Sequence, residues 1–316
     1  VAGEFPEQLP YLEWQASFFS GKMSCQGCHM PTAQGGVQIS IMGGHQQRSP
    51  FFQHTMVGGN TYVLGMLGAF GEELAITASS AQFQDKQEQT VEQLQGRTAT
   101  VDLENASSDG ATLTADVVVK IMTGHKFPTA YPSRRAWIHL TVHDAGGNLL
   151  FESGALNPDG SITGNDNDAD ASAYEPHYPG IDSPEQVQIY EAIMGNTEGQ
   201  PTTTLLAGAK YLKDNRLIPA GFDKSAVEPD IAVYGAAADD TDFDSAIDRT
   251  HYTIALDGIQ GQLTVTAELL YQTIGYRWAD NLHQHDAPEP ARFLAYYEQM
   301  PNQAVVVASA TVEVGE

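Results

Sequence analysis

The sequence is poor in cysteine, poor in basic residues and free of long apolar runs. Two cysteines among 316 residues exclude a disulfide-stapled scaffold. Lysine and arginine number 15 against 40 aspartates and glutamates, a formal net charge of −25. Such a surface repels DNA, RNA and anionic membranes, so none of these is expected as a partner. No apolar stretch approaches the roughly 18–20 residues that span a bilayer, so no transmembrane segment is expected. Nor does a G-x-S-x-G, Walker A or H-E-x-x-H pattern occur. Hydrophobic residues, at 41%, still supply a substantial core, and the length suits one large domain or two ordinary ones.

Both cysteines fall in one motif, Cys25-Gln26-Gly27-Cys28-His29. C-x-x-C-H is the attachment signature of c-type haem. Each thiol adds across one haem vinyl group, and the adjacent histidine then reaches the iron from the proximal side. A redox disulfide would sit in a βαβ pattern, and a structural zinc site would need a second pair of ligands. Neither context is present, so one covalent haem c is expected. Haem c is attached outside the cytoplasm, which makes a periplasmic or extracellular location the expectation. No charged and then apolar leader opens at Val1, so the sequence reads as a processed protein or a piece of a longer one.

Residues 1–96 read as a helical haem-binding domain and residues 97–316 as a β-rich domain with long acidic loops. Helical apolar spacing covers Tyr11 to Ser20. It returns from Asn60, a plausible N-cap, to Ala75, and again from Ser79 to Gln95, ending at Gly96. Strand patterns follow at Thr98 to Glu104, Thr112 to Met122, Ala136 to Val142, Leu149 to Ser153 and Val187 to Ile193. More occur at His251 to Leu256, Leu263 to Gln272 and Ala304 to Val314. Turns are expected at 105–110 and 144–148, and short helices at Thr202 to Asp214 and Pro288 to Glu298. The fold class expected is therefore α+β: an N-terminal helical haem segment followed by an antiparallel, Ig-like β-sandwich.

A six-coordinate haem needs a second axial ligand, usually histidine or methionine. His54 precedes a predicted helix and a pair of glycines that permit close backbone approach to a flat macrocycle. His125 lies in Gly124-His125-Lys126-Phe127-Pro128, a loop leaving a strand. His45 is a weaker candidate. Met23, Met30, Met42 and Met56 are better read as packing. Arg134 and Arg135 are candidates for pairing with haem propionates. His139 and His143 read as sheet residues, His283 and His285 as loop residues, and Asp239-Asp240 as solvated surface. Asp166, Asp168 and Asp170 alternate as calcium-binding carboxylates can, although the glycine and glutamate of an EF-hand loop are missing.

These pieces occur in one order: Cys25 to Pro31, His54-x-x-Val57-Gly58-Gly59-Asn60, Gly124 to Thr129, then Tyr131 to Trp137. Gly164 to Asp170, Glu175 to Tyr178 and Tyr211 to Leu217 follow. The arrangement resembles the C-terminal portion of multihaem c-type cytochromes related to cytochrome c554. The resemblance implies a helical haem segment before a β-rich domain, with isolated histidines as distal ligands, which favours His54 and His125. This chain departs from the pattern in carrying a single C-x-x-C-H. One of the two histidines is then either no ligand or a ligand to a haem from a neighbouring subunit or a preceding segment. The function implied is electron transfer with redox proteins, other c-type cytochromes or a further copy of the chain, including as a homo-oligomer or filament. The alternative is a haem enzyme or small-ligand carrier with an open distal site.

Overall fold

The computed structural model describes residues 4–42, 44, 46–256, 258–259, 261–300 and 302–315; His45 lies outside them. Helix α1 (Pro10–Gln15) carries proline in its first turn, where a missing N–H costs nothing. It stops five residues before the expected end, and hydrogen-bonded turns carry the chain on through Met23. The motif forms α2 (Cys25–His29). In α3 (Thr61–Ala69), Asn60 is the N-cap, its side chain accepting from the Val63 amide at 3.0 Å. Helix α4 (Ser80–Arg97) opens with a Ser79–Gln82 capping box. Gly96 does not end it: the helix runs to Arg97, and the hydroxyl of Thr98 donates back to the Gln93 carbonyl.

Strand β1 (Ala99–Ser108) begins at once. The expected turn at 105–110 is in its first part a bulge inside this strand: pairing shifts between Glu104 and Ser107, and Asn105 takes φ 51°. The reversal comes at Asp109, whose carboxylate accepts from the Ala111 and Thr112 amides. The chain continues through β2 (Thr112–Ile121), β3 (Arg135–Asp144), β4 (Leu149–Ser153) and the single turn α5 (Asp166–Ala169). Short strands follow: β5 (Gly180–Ile181), β6 (Ile189–Tyr190), β7 (Ala192–Gly195), β8 (Pro201–Thr202) and β9 (Lys210–Asp214). The last elements are β10 (Ile247–Ala255), β11 (Leu263–Gln272), α6 (Tyr276–Asp280), α7 (Pro288–Gln299) and β12 (Val305–Val314).

Two expectations fail where pairing is long-range. The strand pattern at Val187 to Ile193 divides at Glu191, whose amide donates to the Asn215 side chain instead of a ladder partner. One part, β6, pairs with β3, and the other, β7, pairs with β9. Thr202 to Asp214 is no helix: only Leu205–Ala207 makes a 3-10 turn, and β9 runs antiparallel to β7.

One sheet has the order β1-β2-β10-β5 and a second β12-β11-β3-β4; a three-stranded sheet is β8-β7-β9. The period of two along each strand sends Val117 and Val119, Tyr252 and Ile254, Ile138 and Leu140, and Val265 and Ala267 into a single apolar core shared by the first two sheets. Leu12 of α1 and Ala16, its C-cap, pack on that core and Leu94 of α4 lies within it. Helix α3 packs instead against α7, with Phe70 and Tyr296 stacked at 4.1 Å and the Tyr62 hydroxyl donating to the Met300 carbonyl at 2.8 Å. Among the described residues, no helix is long and apolar enough to cross a membrane.

Candidate functional site

Helix α2 places Cys25 and Cys28 three residues apart, and hence on one face. Cys25 is exposed and Cys28 half-buried, neither in a disulfide. Burial pushes the Cys28 thiol up, against the pull of Arg97. His29 closes the helix. Its Nδ1 lies 2.6 Å from the Val57 carbonyl, so Nδ1 carries the proton and Nε2 is left as a free lone pair, the state a metal requires. The same segment holds the His29 backbone: the Val57 amide donates to the His29 carbonyl at 3.1 Å, and Lys86 reaches back to the Thr55 carbonyl.

His125, in the loop after β2, repeats the arrangement. Its Nδ1 lies 3.0 Å from the Lys126 carbonyl, which again frees Nε2. Burial lowers its pKa, favouring the neutral ring. The His29 and His125 rings stand with centres 6.1 Å apart and planes 6° from parallel. A metal–imidazole bond is about 2.0–2.1 Å and the ring centre lies roughly 1.2 Å further, so two imidazoles sharing one metal have centres about 6.4–6.6 Å apart. The observed separation comes within about half an ångström of that span, and the near-parallel planes suit an axial couple on one iron, beside two thiols spaced for vinyl attachment.

Behind His125 lies a network of buried charges. Lys126, wholly buried, donates from Nζ to Asp214 at 2.7 Å and to the Ala232 carbonyl at 2.9 Å. Arg216 donates to the same carboxylate from Nε at 2.9 Å and Nη2 at 2.8 Å, and also reaches Glu13 at 3.0 Å. Burial alone would raise the Asp214 pKa; Arg216 and Lys126 outweigh it and hold the carboxyl at about 2. No local pattern singles out Glu13, Asp214 or Arg216. The signal available was the Tyr211 to Leu217 stretch, which the fold brings beside the His125 loop through the reciprocal Phe127–Leu217 backbone pair.

The other candidates separate. His54 is exposed and belongs to the segment that holds His29 from its Nδ1 side; the structure brings His125, not His54, to the His29 ring. Gly59 makes a close approach, but to the Tyr271 phenol, where a Cβ would lie 3.0 Å from the oxygen. Arg134 is half-buried and uses Nη1 on the Thr129 carbonyl at 2.8 Å. Arg135 is buried and committed to Asp168, Gln272 and Gly160, so it is not free for a propionate.

The same contact corrects the calcium expectation. Arg135 Nη1 donates to both oxygens of Asp168, at 2.8 and 2.9 Å, and the Ile162 amide donates there too. Asp170 caps Ser172 instead, and Asp166 stands in the first turn of α5, so the three carboxylates do not form a cation site. His139 lies between Glu152 and Glu268 on the sheet.

One further cluster, His177, Asp240 and Asp248, has metal-ligand spacing. Its hydrogen bonds point elsewhere. The side-chain amides of Gln188 and Asn215 are each fixed by a backbone amide donating to their oxygens, so both present N–H groups to His177 Nδ1, at 3.0 and 3.1 Å. Nδ1 is then the acceptor, and Nε2 carries the proton it donates to Asp240 at 3.1 Å. The cluster holds a proton where a metal would need a lone pair. Asp240, expected on a solvated surface, is instead fixed by His177.

No family model matches the chain, and no curated protein matches it. Among solved structures it is similar to a penta-heme cytochrome c552 from Thermochromatium tepidum, at 17% identity and a TM-score of 0.50. The match covers 97% of this chain and 51% of that one, so the chain spans about half the length of the structure it resembles. The likeness is one of fold: this chain has an α+β fold like that of part of a multihaem c-type cytochrome.

Proposed function

We propose that this chain is a c-type cytochrome that carries one covalent haem and exchanges electrons with other redox proteins. Cys25 and Cys28 would hold the haem by thioethers, with His29 as proximal and His125 as distal ligand. Bound there, haem supplies a one-electron iron couple. The chain's own residues orient both imidazoles through the Val57 and Lys126 carbonyls, and burial favours the neutral ring of His125. The observation that carries the reading is the His29–His125 pair, near parallel at 6.1 Å, with both Nδ1 atoms occupied. Six-coordinate iron has no open position, which favours electron transfer over substrate chemistry.

His54 remains available to a haem held by another chain, and Arg134 to a propionate. The partners proposed are other c-type cytochromes or a second copy of this chain, since a single haem passes electrons only to close neighbours. A periplasmic or extracellular location follows from covalent haem attachment. Residues 1–96 then form the haem-bearing part and residues 97–316 its β-rich support. We read that support as an Ig-like sandwich, a reading favoured by β1-β2-β10 facing β12-β11-β3-β4 across one core.

The test is electron paramagnetic resonance of the oxidised protein. Parallel ring planes split the iron d orbitals strongly and predict a rhombic low-spin signal. His125→Ala converts it to high-spin, while His54→Ala leaves it unchanged. A spectrum that His125→Ala does not alter refutes the ligand assignment.

A further inference from the structure

We propose that Glu13 is a positioning residue for the distal ligand: from α1 it clamps the loop that presents His125 and so sets how readily that imidazole leaves the iron. The proposal rests on the reading of His29 and His125 as an axial pair. Glu13 is 1% exposed, an unusual place for a carboxylate. One oxygen accepts from the Lys126 amide at 3.1 Å, and the other from Arg216 Nη2 at 3.0 Å. Lys126 is the residue whose carbonyl takes the His125 Nδ1 proton. Residue 126 is thus tied at one end to Glu13 and at the other to the ligand.

The other flank of His125 rests on the same helix and the turn after it. A Cβ on Gly124 would lie 3.4 Å from Trp14 Cδ1 and 3.5 Å from Phe19 Cδ2, so the loop lies directly against both rings. Trp14 Nε1 donates to the Met23 carbonyl at 3.0 Å, two residues before Cys25. The Phe18 amide anchors the turn to the Ala220 carbonyl at 2.6 Å. A short N-terminal segment therefore grips both sides of the distal loop and the approach to the attachment motif. Within it Glu13 supplies the charge: Asp214 is already committed to both Lys126 and Arg216.

The test uses the haem-loaded full chain. In a six-coordinate ferrous haem, carbon monoxide binds only after the distal imidazole leaves, so the rate at saturating gas reports that departure. Glu13→Gln should raise the limiting rate about tenfold, as expected for a lost hydrogen bond to a buried charge. It should also shift the midpoint potential positive, because a buried negative charge near the iron has gone. Glu13→Asp keeps the charge and shortens the reach; it should speed departure and leave the potential in place, and it serves alone if the glutamine variant does not fold. Leu12→Ala loosens the packing of the same helix on the core but keeps both Glu13 contacts, and should move neither quantity. Unchanged rates in both Glu13 variants, or an equal acceleration in Leu12→Ala, overturn the proposal. If His125→Ala stays low-spin, it is the axial assignment that has failed instead.

Discussion

Replacing Asp214 by asparagine should cost this protein several kilocalories per mole at neutral pH, and less in acid. Asp214 is 1% exposed and takes Lys126 at 2.7 Å and Arg216 at 2.9 and 2.8 Å. Asparagine keeps the shape but removes the charge and turns one acceptor into a donor aimed at a cation. Arg216 then keeps only Glu13 as a counter-charge, and the Lys126 ammonium keeps only the Ala232 carbonyl. Breaking a buried ion pair from one side costs about 3–5 kcal/mol. The pKa gives a second route. The carboxyl is held at about 2 against an ordinary value of 3.8, and at about 1.4 kcal/mol per unit this is roughly 2–3 kcal/mol. An unfolding entropy of about 2.1 cal/mol/K per residue makes each kelvin worth about 0.7 kcal/mol in a chain of this length. The midpoint should therefore fall roughly 4–7 °C at pH 7. The sign with pH follows from the depressed pKa. The stabilisation is present above the unfolded value near 3.8 and lost as pH falls through about 2. Far-ultraviolet circular dichroism melts at pH 7 and at steps down to pH 3 should show the gap between the two proteins narrowing, by pH 3 to roughly half of its carboxylate-linked part. A fall of under 1 °C at pH 7, or a gap that does not narrow in acid, refutes the reasoning.

Three other perturbations have defined outcomes. His251 donates to Asp116 at 2.7 Å and lies 3.2 Å from Asp242, and the Asp116 hydrogen bond raises its pKa. Its stabilisation is complete below the ordinary histidine range and lost as pH rises through the raised value. Urea unfolding should show a decline of less than about 1 kcal/mol above roughly pH 6.5 that His251→Gln abolishes, the small size reflecting solvent screening of a half-exposed pair. Calcium or a chelator should move the melting midpoint by less than about 1 °C, because Arg135 already neutralises Asp168; a larger calcium-dependent rise would contradict that contact. Gly154→Ala should destabilise by roughly 2–4 kcal/mol in urea unfolding, since Gly154 has φ +81° and an added Cβ would meet the Ile138 carbonyl at 2.7 Å; a neutral result would mean the β3–β4 ladder shifts freely.

What was legible in the sequence was local. The Asn60 cap, the Ser79 capping box and the alternation of β11 and β12 depend on neighbours within a few residues. What was not legible depends on partners far along the chain. The end of the 202–214 segment, expected to be helix, became strand β9 because β7 offered it an edge. The acidic run at Asp166 looked like a cation site because its counter-charge, Arg135, lies 33 residues away. Arg135, read as a propionate partner, was withdrawn by the same contact.

The choice between His54 and His125 shows the limit most sharply, and also a signal that was there to be read. In sequence nothing decides between the two: His54 stands a few residues before Gly58, and His125 directly after Gly124. In space, His54 shares a segment with Val57, and that segment is spent holding His29 through Nδ1. A ligand must come from the opposite side, and only an element outside that segment can supply it. Charge marks where the two sides meet. No aspartate or glutamate stands between Trp14 and Gly71, in a chain with 40 acids. A carboxylate near a ferric iron stabilises the oxidised state and attracts cations into the pocket. The last acid before that stretch is Glu13, and it is buried and neutralised by Arg216. The acid-free stretch holds the motif and the His29 cradle, and its boundary residue reaches the distal loop. On the proposed ligation, charge depletion in an acidic chain outlines the proximal half of the site, and the buried acid at its edge points to the distal half.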